Sequence, residues 1–289
     1  MKRKDWLAFL ALGTIWGSSF LWIKIAVQEV GPFTLVAFRL LFGLLGLAVV
    51  AAYTRPVFPK AWRMWLILTL IGFTNNALPY VLISWGEQYI DSAVAAILNS
   101  TTPLFAMVFA HLFLHDDRLT LHRLVGILVG FAGIVILVSR DLLSGVQMNL
   151  LGQLAVLLAS VLYAGTSVFA RKKTKGVSQV PLALIPLIGA DIFLWGITPI
   201  VESPFMLPQL PITWLAIIWL GLLGTCVAFL FYYYLLHSVG PTRTTLVTYI
   251  FPLVGVILGV VFLDELLDWH LLVGGLLVVG SILVVNSRG

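Results

Sequence analysis

Charged side chains are scarce in this sequence of 289 residues. They make up only 10% of the chain, whereas 61% of the residues are hydrophobic. A soluble domain has about a quarter charged residues, so this chain cannot cover itself with polar surface. The composition therefore excludes a soluble globular protein and predicts a protein of the membrane.

Residues and motifs that carry common chemistries are also missing. The single cysteine, Cys226, excludes an intramolecular disulfide framework. Neither the HExxH spacing of zinc proteases nor the GxxxxGK loop of ATPases occurs. Asp191 is the one acid in the middle of an apolar run, whereas an intramembrane aspartyl protease needs two. We therefore predict that the protein is not an enzyme and uses no cofactor and no metal.

The chain does contain ten apolar runs of the length that crosses a hydrocarbon core about 30 Å thick. They predict helices, because the strands of membrane barrels alternate apolar and polar positions. The predicted fold class is an all-α integral membrane protein. The predicted spans are 6–28, 32–53, 62–85, 91–114, 121–139, 149–170, 179–201, 211–236, 241–263 and 270–286.

The basic residues indicate an orientation. If the N-terminus is cytoplasmic, the inner segments hold 14 of the 17 basic residues, the outer loops hold Lys24 and Arg140, and Arg39 lies inside the second span. The positive-inside rule then predicts a multi-pass protein with both termini in the cytoplasm. This topology also accounts for the net charge of +5. No soluble domain remains to bind nucleic acid.

The two halves of the sequence are similar. A shift of 149 residues superposes Gly72 on Gly221 and Pro103 on Pro252, and a shift of 148 superposes 17–20 on 165–168. We predict two five-helix repeats, residues 1–140 and 141–289. Five is an odd number, so the second repeat enters the membrane from the opposite side. Inverted repeats place a substrate site between the halves and provide alternating access.

Several segments carry a family resemblance in their order, spacing and duplication. They are Trp16–Phe20, Pro32 with Arg39, Ala95–Pro103, Pro252, Phe262–Glu265 and Gly275. Together they resemble the EamA family of the drug/metabolite transporter superfamily. The resemblance implies export of small metabolites, most commonly amino acids and related compounds, through a cavity lined by both halves. It also implies the plasma membrane, here a bacterial inner membrane.

Polar groups in the middle of spans are costly unless they face a partner helix or water, so they are candidates for substrate binding. Aromatic side chains are candidates for the cavity walls. The predicted substrate-binding residues are Trp16, Ser19, Asn75, Asn76, Tyr80, Asn99, Thr102, Tyr163, Thr225, Thr248 and Tyr249. The alternative is that Ser and Thr only hold helices together and that aromatics anchor span ends.

Four further residues are candidates for gating or coupling: Arg39, Pro103, Asp191 and Pro252. Each proline removes a backbone donor and frees a carbonyl about one turn earlier. For Arg39 we favour a structural or gating role over a bond to the carboxylate of a substrate. Asp191 is interpreted as a proton carrier, a partner of Arg39 or part of a polar cluster. Facilitated movement and proton antiport both stay open.

The sequence thus predicts a secondary transporter that exports small metabolites, amino acids or related amphipathic compounds, by alternating access. A lipid flippase or scramblase, a drug exporter and a membrane receptor or sensor are the alternatives. The expected partners are a small-molecule substrate and the lipid bilayer. One chain contains both halves, so a monomer is the simplest unit, although a dimer through lipid-facing surfaces stays possible.

Overall fold

The structure is a computed structural model that describes residues 2–113, 120–144, 147–174, 176–240, 244 and 246–286. All regular structure in these residues is helical. In chain order, the helices are α1 (Arg3–Ala26), α2 (Pro32–Thr54), α3 (Trp62–Gly86), α4 (Ser92–Phe113), α5 (Leu121–Ser144), α6 (Gln147–Lys173), α7 (Gln179–Val201), α8 (Pro211–Ser238), α9 (Leu246–Leu263) and α10 (Trp269–Asn286).

The predicted fold class is confirmed. Within the described residues, α1 to α9 are each long and apolar enough to cross a membrane, and α10 adds a shorter apolar stretch, Trp269–Ser281. Each predicted span coincides with one helix. Residues 241–243 and 245 of the ninth predicted span lie outside the described residues. Helices α5 and α6 are both longer than predicted: α5 continues beyond residue 139 to Ser144, and α6 continues beyond residue 170 through three basic residues to Lys173. Basic side chains can remain helical there because they reach the polar surface of the bilayer.

Backbone chemistry fixes several helix ends. Pro32 and Pro211 each stand at the first position of a helix, where the missing N–H costs nothing. At the other end of α2, Arg55 adopts a left-handed φ of 45°, and Asp264 does so after α9 with a φ of 54°. These residues stop the helix and let the chain turn back.

Four helices are irregular, and the irregular segments occur in pairs. Helix α3 is π-helical over Phe73–Ala77, and α8 is π-helical over Trp219–Val227. Helix α4 is interrupted between Asn99 and Thr102, and α9 begins with a 3-10 turn over Leu246–Tyr249. A shift of 149 residues carries 73–77 onto 222–226 and 100 onto 249. The sequence repeat is therefore also a repeat of backbone irregularities.

The packing of helices shows the same relationship. Helix α1 packs on α8 and α9, and its counterpart α6 packs on α3 and α4. Helix α2 contacts α7 and α8, and its counterpart α7 contacts α2 and α3. Exchanging the halves leaves these pairs unchanged, as a two-fold relationship between similar halves requires. The first helix of each half therefore packs mainly on the other half.

Close contacts between the halves depend on small residues. A Cβ atom on Gly17 of α1 would lie 2.8 Å from the Cβ of Val254 on α9. A Cβ atom on Gly72 of α3 would lie 2.0 Å from the carbonyl oxygen of Pro186 on α7. Only glycine fits at either position without a shift of the partner helix. Small residues are the usual means by which membrane helices approach closely.

Candidate functional site

The π-helical stretch of α8 contacts α1 through two indole groups. Trp16 Nε1 donates a hydrogen bond to the carbonyl oxygen of Gly224, 3.0 Å away. In the opposite direction, Trp219 Nε1 donates to the hydroxyl oxygen of Ser18 at 3.3 Å. The Ser19 hydroxyl bonds within its own helix to Ile15. Because a π-helix shifts the regular hydrogen-bond pattern, it gives α8 polar backbone atoms that other helices can use.

Arg39 of α2 reaches the same stretch of α8. Its guanidinium carbon lies 3.9 Å from the centroid of the Tyr80 ring on α3, in cation–π geometry. Its Nε donates to the Thr225 hydroxyl at 3.4 Å, and that hydroxyl donates to Leu220 O at 3.0 Å. Tyr163 of α6 is partly buried and packs against the apolar core that contains Tyr80. Arg39 is only 4% exposed, so these contacts replace water around its charge.

These contacts converge on Gly224 and its neighbour Thr225. A Cβ atom on Gly224 would lie 3.4 Å from Ser19 Oγ and 3.8 Å from Arg39 Nη2. The structure thus brings together six of the predicted residues from α1, α2, α3, α6 and α8. We call this group the central cluster: Trp16, Ser19, Arg39, Tyr80, Tyr163, Gly224 and Thr225.

The two asparagines of α3 lie in the other π-helical stretch. Asn75 Nδ2 donates to Asn76 Oδ1 at 3.0 Å, and Asn76 is buried. Beside them, the Thr166 hydroxyl of α6 donates to the Thr74 hydroxyl at 2.9 Å. Thr166 is the repeat counterpart of Ser18, so the α6–α3 contact corresponds to the α1–α8 contact. Two polar crossings, related by the repeat, therefore join the two halves.

The interruption of α4 separates the roles of two predicted residues. Pro103 has no N–H, so the carbonyl of Asn99 loses its helical donor. The Thr102 hydroxyl supplies a replacement at 2.7 Å, which gives Thr102 a local structural bond. The Asn99 side-chain oxygen is buried and has no hydrogen-bond partner in the described part of the chain. Asn99 is therefore the member of this pair with an acceptor to offer a ligand.

Helix α9 contains the repeat counterparts of the interrupted part of α4. Thr248 and Tyr249 lie in the 3-10 turn, and both are partly buried. Pro252 follows near the start of the regular helix and is buried. Thr248, Tyr249 and Pro252 therefore lie where α9 changes from 3-10 to α-helical geometry. Asn99 and Pro103 lie at the interruption of α4 in the same way.

Asp191 does not pair with Arg39, so that interpretation is wrong. Asp191 is 5% exposed on α7, where it interacts with Trp195, and its Oδ1 has no hydrogen-bond partner among the residues described. Its neighbours Ala190 and Leu194 belong to an apolar core that also contains Leu40 and Ala77. The Arg39 charge is instead satisfied by Tyr80 and Thr225, which sequence spacing could not reveal.

Four glutamates that are not among the predicted site residues lie at one end of the bundle, which we call the acidic end: Glu29, Glu87, Glu202 and Glu265. Glu202 accepts hydrogen bonds from the amides of Phe33 (2.7 Å) and Thr34 (2.9 Å), at the start of α2. Its carboxylate thus compensates the positive end of a helix from the other half.

Two other glutamates make the same kind of contact. Glu265 accepts from the amides of Ser92 (2.6 Å) and Ala93 (3.0 Å) at the start of α4. Glu29 accepts from the amides of Gln209 and Leu210 at the start of α8. Each carboxylate bridges the two halves. The one available sequence signal was an acid in a short loop between apolar runs, which does not identify the helix that it caps.

Two similar halves, paired helix irregularities and a polar cluster between them define a membrane transporter architecture. The comparisons with known proteins agree with this class. The sequence profile described as "EamA-like transporter family" matches residues 4–139 and 150–287. The chain belongs to the EamA-like transporter family and is a multi-pass membrane transporter.

Relatives of this family resemble the chain over nearly its whole length. The "uncharacterized inner membrane transporter YedA" of Escherichia coli K12 is 33% identical over 97% of this chain and 90% of its own. An "uncharacterized transporter" of Archaeoglobus fulgidus is 24% identical over 99% of this chain and 100% of its own. A solved crystal structure with 21% identity covers 99% of this chain and 98% of its own, with a TM-score of 0.71, and supports the fold.

Proposed function

We propose that the protein is a secondary transporter that exports amino acids or related small amphipathic metabolites from the cytoplasm by alternating access. The observation that carries this proposal is the convergence of Trp16, Arg39 and Thr225 where helices of the two halves cross. A group bound at this crossing contacts both halves. Its binding energy can therefore depend on their relative position, as a transport cycle requires.

The chemistry of the central cluster fits an amphipathic substrate. The centroid of the Trp16 ring lies 5.8 Å from that of Tyr232 and 5.9 Å from that of Phe251. Aromatic faces attract apolar surface and ammonium groups alike. Outside this cluster, on α4, the unpartnered side-chain oxygen of Asn99 is a hydrogen-bond acceptor. A lipid tail or a wholly apolar drug would leave such an acceptor unsatisfied, at a cost of about 1–3 kcal/mol.

The two ends of the bundle differ, and the difference indicates which end is closed. At the acidic end, which the positive-inside rule predicts to be external, the glutamate caps join the halves. Towards the opposite end, every side chain of α4 in residues 105–110 is partly exposed. We infer a conformation that is closed at the acidic end, with both termini cytoplasmic in a bacterial inner membrane.

The proposal is tested with purified protein in vesicles. A panel of labelled amino acids is followed for uptake and efflux, with and without an imposed pH gradient. Saturable movement without the gradient supports a facilitative exporter, and movement only with the gradient supports a coupled one. The test variant is Trp16→Ala, in the central cluster. The matched control is Trp6→Ala, because the Trp6 side chain is 52% exposed.

Parallel assays test the other substrates. Scrambling of labelled lipid and efflux of cationic drugs are measured in the same vesicle preparation. Lipid or drug movement that depends on Trp16, without movement of any amino acid, would overturn the amino-acid proposal. Tight binding without any movement would favour a receptor.

A further inference from the structure

Glu87 is a buried acid in the short connection between α3 and α4. It is 0% exposed, and neither carboxylate oxygen has a hydrogen-bond partner among the described residues. The three other glutamates of the acidic end all bond to helix N-termini, so Glu87 differs from them. An ionised carboxylate that is buried and unpartnered is too costly to persist, whereas the protonated form avoids most of that cost. The structure therefore favours a protonated Glu87 in the closed conformation.

The charges that act on Glu87 belong to three residues on different helices or connections. Lys24 of α1 donates hydrogen bonds to the backbone carbonyls of Glu87 (2.7 Å) and Ile90 (2.8 Å), and not to the carboxylate. Glu265, after α9, and Arg39, on α2, also act on it electrostatically. On the side of α6, the contact is uncharged, because Gly86 packs on Gly152.

These groups have opposite effects. Burial raises the pKa of Glu87 well above 4.5, and the negative charge of Glu265 adds to the increase. The positive charge of Lys24 opposes this increase most, and the charge of Arg39 opposes it less. Lys24 is already held by two carbonyls, so it does not compensate the carboxylate directly.

We propose that Glu87 is a proton-binding site of the acidic end, occupied in the closed conformation and emptied when that end opens. Opening separates the halves at the Glu265 cap and admits water to the Glu87 carboxyl. The proton then passes to water, and the carboxylate is left solvated beside Lys24. The inference rests on alternating access as proposed above, and it adds a ligand, the proton, at a site outside the central cluster.

The sign of the pH effect follows from this cycle. The closed conformation binds one more proton at Glu87 than the open one, so acid favours closure. The preference for closure is full below about pH 4.5, the ordinary value for glutamate, and is lost as the pH rises towards the raised value of the closed state. Within that window, the ratio of open to closed protein rises by at most about tenfold for each pH unit.

Distances between spin labels across the acidic end test the proposal. Labels are attached to Gln28→Cys and Leu266→Cys, exposed positions in opposite halves, in a Cys226→Ala background. The distances between the labels are measured by pulsed electron–electron double resonance in vesicles from about pH 4.5 to about pH 8.5. We expect the longer distances to increase with pH in the labelled parent and the shorter distances to dominate at every pH in Glu87→Gln.

Two further variants make the result specific. Asp91→Asn removes a partly exposed carboxylate from the same connection, and the pH response should persist. Lys24→Gln removes a charge that favours the ionised form, so the response should shift to higher pH. These measurements also serve if Glu87→Gln does not fold, because the pH series of the parent and the Lys24→Gln shift do not need it.

The proposal is overturned if the distances in the parent do not change with pH, or if Glu87→Gln keeps the full response. A response that disappears in Asp91→Asn but not in Glu87→Gln would also overturn it. The readout needs no cargo. A pH response without amino-acid movement would therefore refute the proposed substrate and keep the proton site, and amino-acid movement without a pH response would do the reverse.

Discussion

The indole nitrogen of Trp16 and the carbonyl oxygen of Gly224 are 3.0 Å apart, in a hydrogen bond that joins the first helix of one half to the π-helical stretch of the other. Both partners lie beside residues that contact the other half. Gly17 beside Trp16 packs against α9, and Gly224 lies next to Thr225, which accepts from Arg39. A movement of one half against the other must carry this bond along or break it.

Trp16→Phe tests the bond while keeping an aromatic ring. The Gly224 carbonyl would lose its donor, and an unsatisfied buried group costs about 1–3 kcal/mol. We expect amino-acid transport to fall by about 5- to 150-fold, on the basis of about 1.4 kcal/mol per factor of ten. Trp6→Phe is the control, because its side chain is 52% exposed. Equal transport by both variants would exclude a role for the Trp16 N–H.

Asn99→Ala and Thr102→Val separate binding from local structure. Asn99 has an unpartnered side-chain oxygen, so its removal should raise the KM for amino acids by about 2- to 10-fold, the value of one hydrogen bond. Its midpoint of unfolding in detergent should not fall. Thr102 donates to the Asn99 carbonyl, so Thr102→Val should lower that midpoint. The reverse assignment of the two effects would contradict this division of roles.

Arg39→Lys tests whether the guanidinium is structural or binds a substrate carboxylate. Lysine keeps the charge but loses the planar group above Tyr80 and the Nε bond to Thr225. We expect transport and the midpoint of unfolding to fall together, and the loss to be the same for an amino acid and its methyl ester. A loss confined to the free acid would show instead that Arg39 binds the carboxylate.

The ten helices could be predicted because hydrophobic length and the charges of loops are properties of local sequence. The repeat was also visible, since Pro103 and Pro252 or Gly72 and Gly221 keep a constant spacing. The pairing of Arg39 with Tyr80 could not be predicted from the sequence, because the choice of a partner on another helix depends on the rotation of both helices about their axes. The position of Asp191 in an apolar core depends on the same rotation.

The π-helical stretches explain why further contacts of the site could not be predicted from the sequence. Thr225 was a candidate only as the counterpart of Asn76, and Gly224 was not a candidate for binding. A π-helix inserts one residue into a turn and changes which atoms face a neighbouring helix. No residue type marks such an insertion, so the Trp16–Gly224 bond could not be predicted. The glutamate caps were missed for a similar reason, because their partners are backbone amides.

The Glu29 cap should respond to acid with a sign opposite to that of Glu87. The neighbouring Thr213 hydroxyl lowers the pKa of Glu29 most, and the amides of Gln209 and Leu210 lower it further. A lowered pKa means that this cap favours closure above about pH 4.5 and that the effect is lost as the pH falls below it. Below that pH, the labelled parent should therefore open again, and Glu29→Gln should lack this second response. If Glu29→Gln still opens at low pH as the parent does, the second response belongs to another group.

Glu202→Gln should open the acidic end at neutral pH. The carboxylate accepts from two amides at the start of α2 and from the Thr34 hydroxyl at 2.6 Å, so the change removes a negative charge from a helix N-terminus. Such a charge contributes about 0.3–1 kcal/mol, and up to about 2 kcal/mol when it is partly buried. The ratio of open to closed distances should therefore rise about 2- to 30-fold.

Asp264→Asn is the matched control for Glu202→Gln. Asp264 is an exposed acid at the same end, and asparagine tolerates its left-handed backbone as well as aspartate does. It should leave the distances unchanged, because its charge caps no helix of the other half. If both variants open the end equally, net charge controls the closure. If neither does, the Glu202 cap is a static contact that both conformations retain, and the gate has to be sought among the contacts of Glu29 and Glu265.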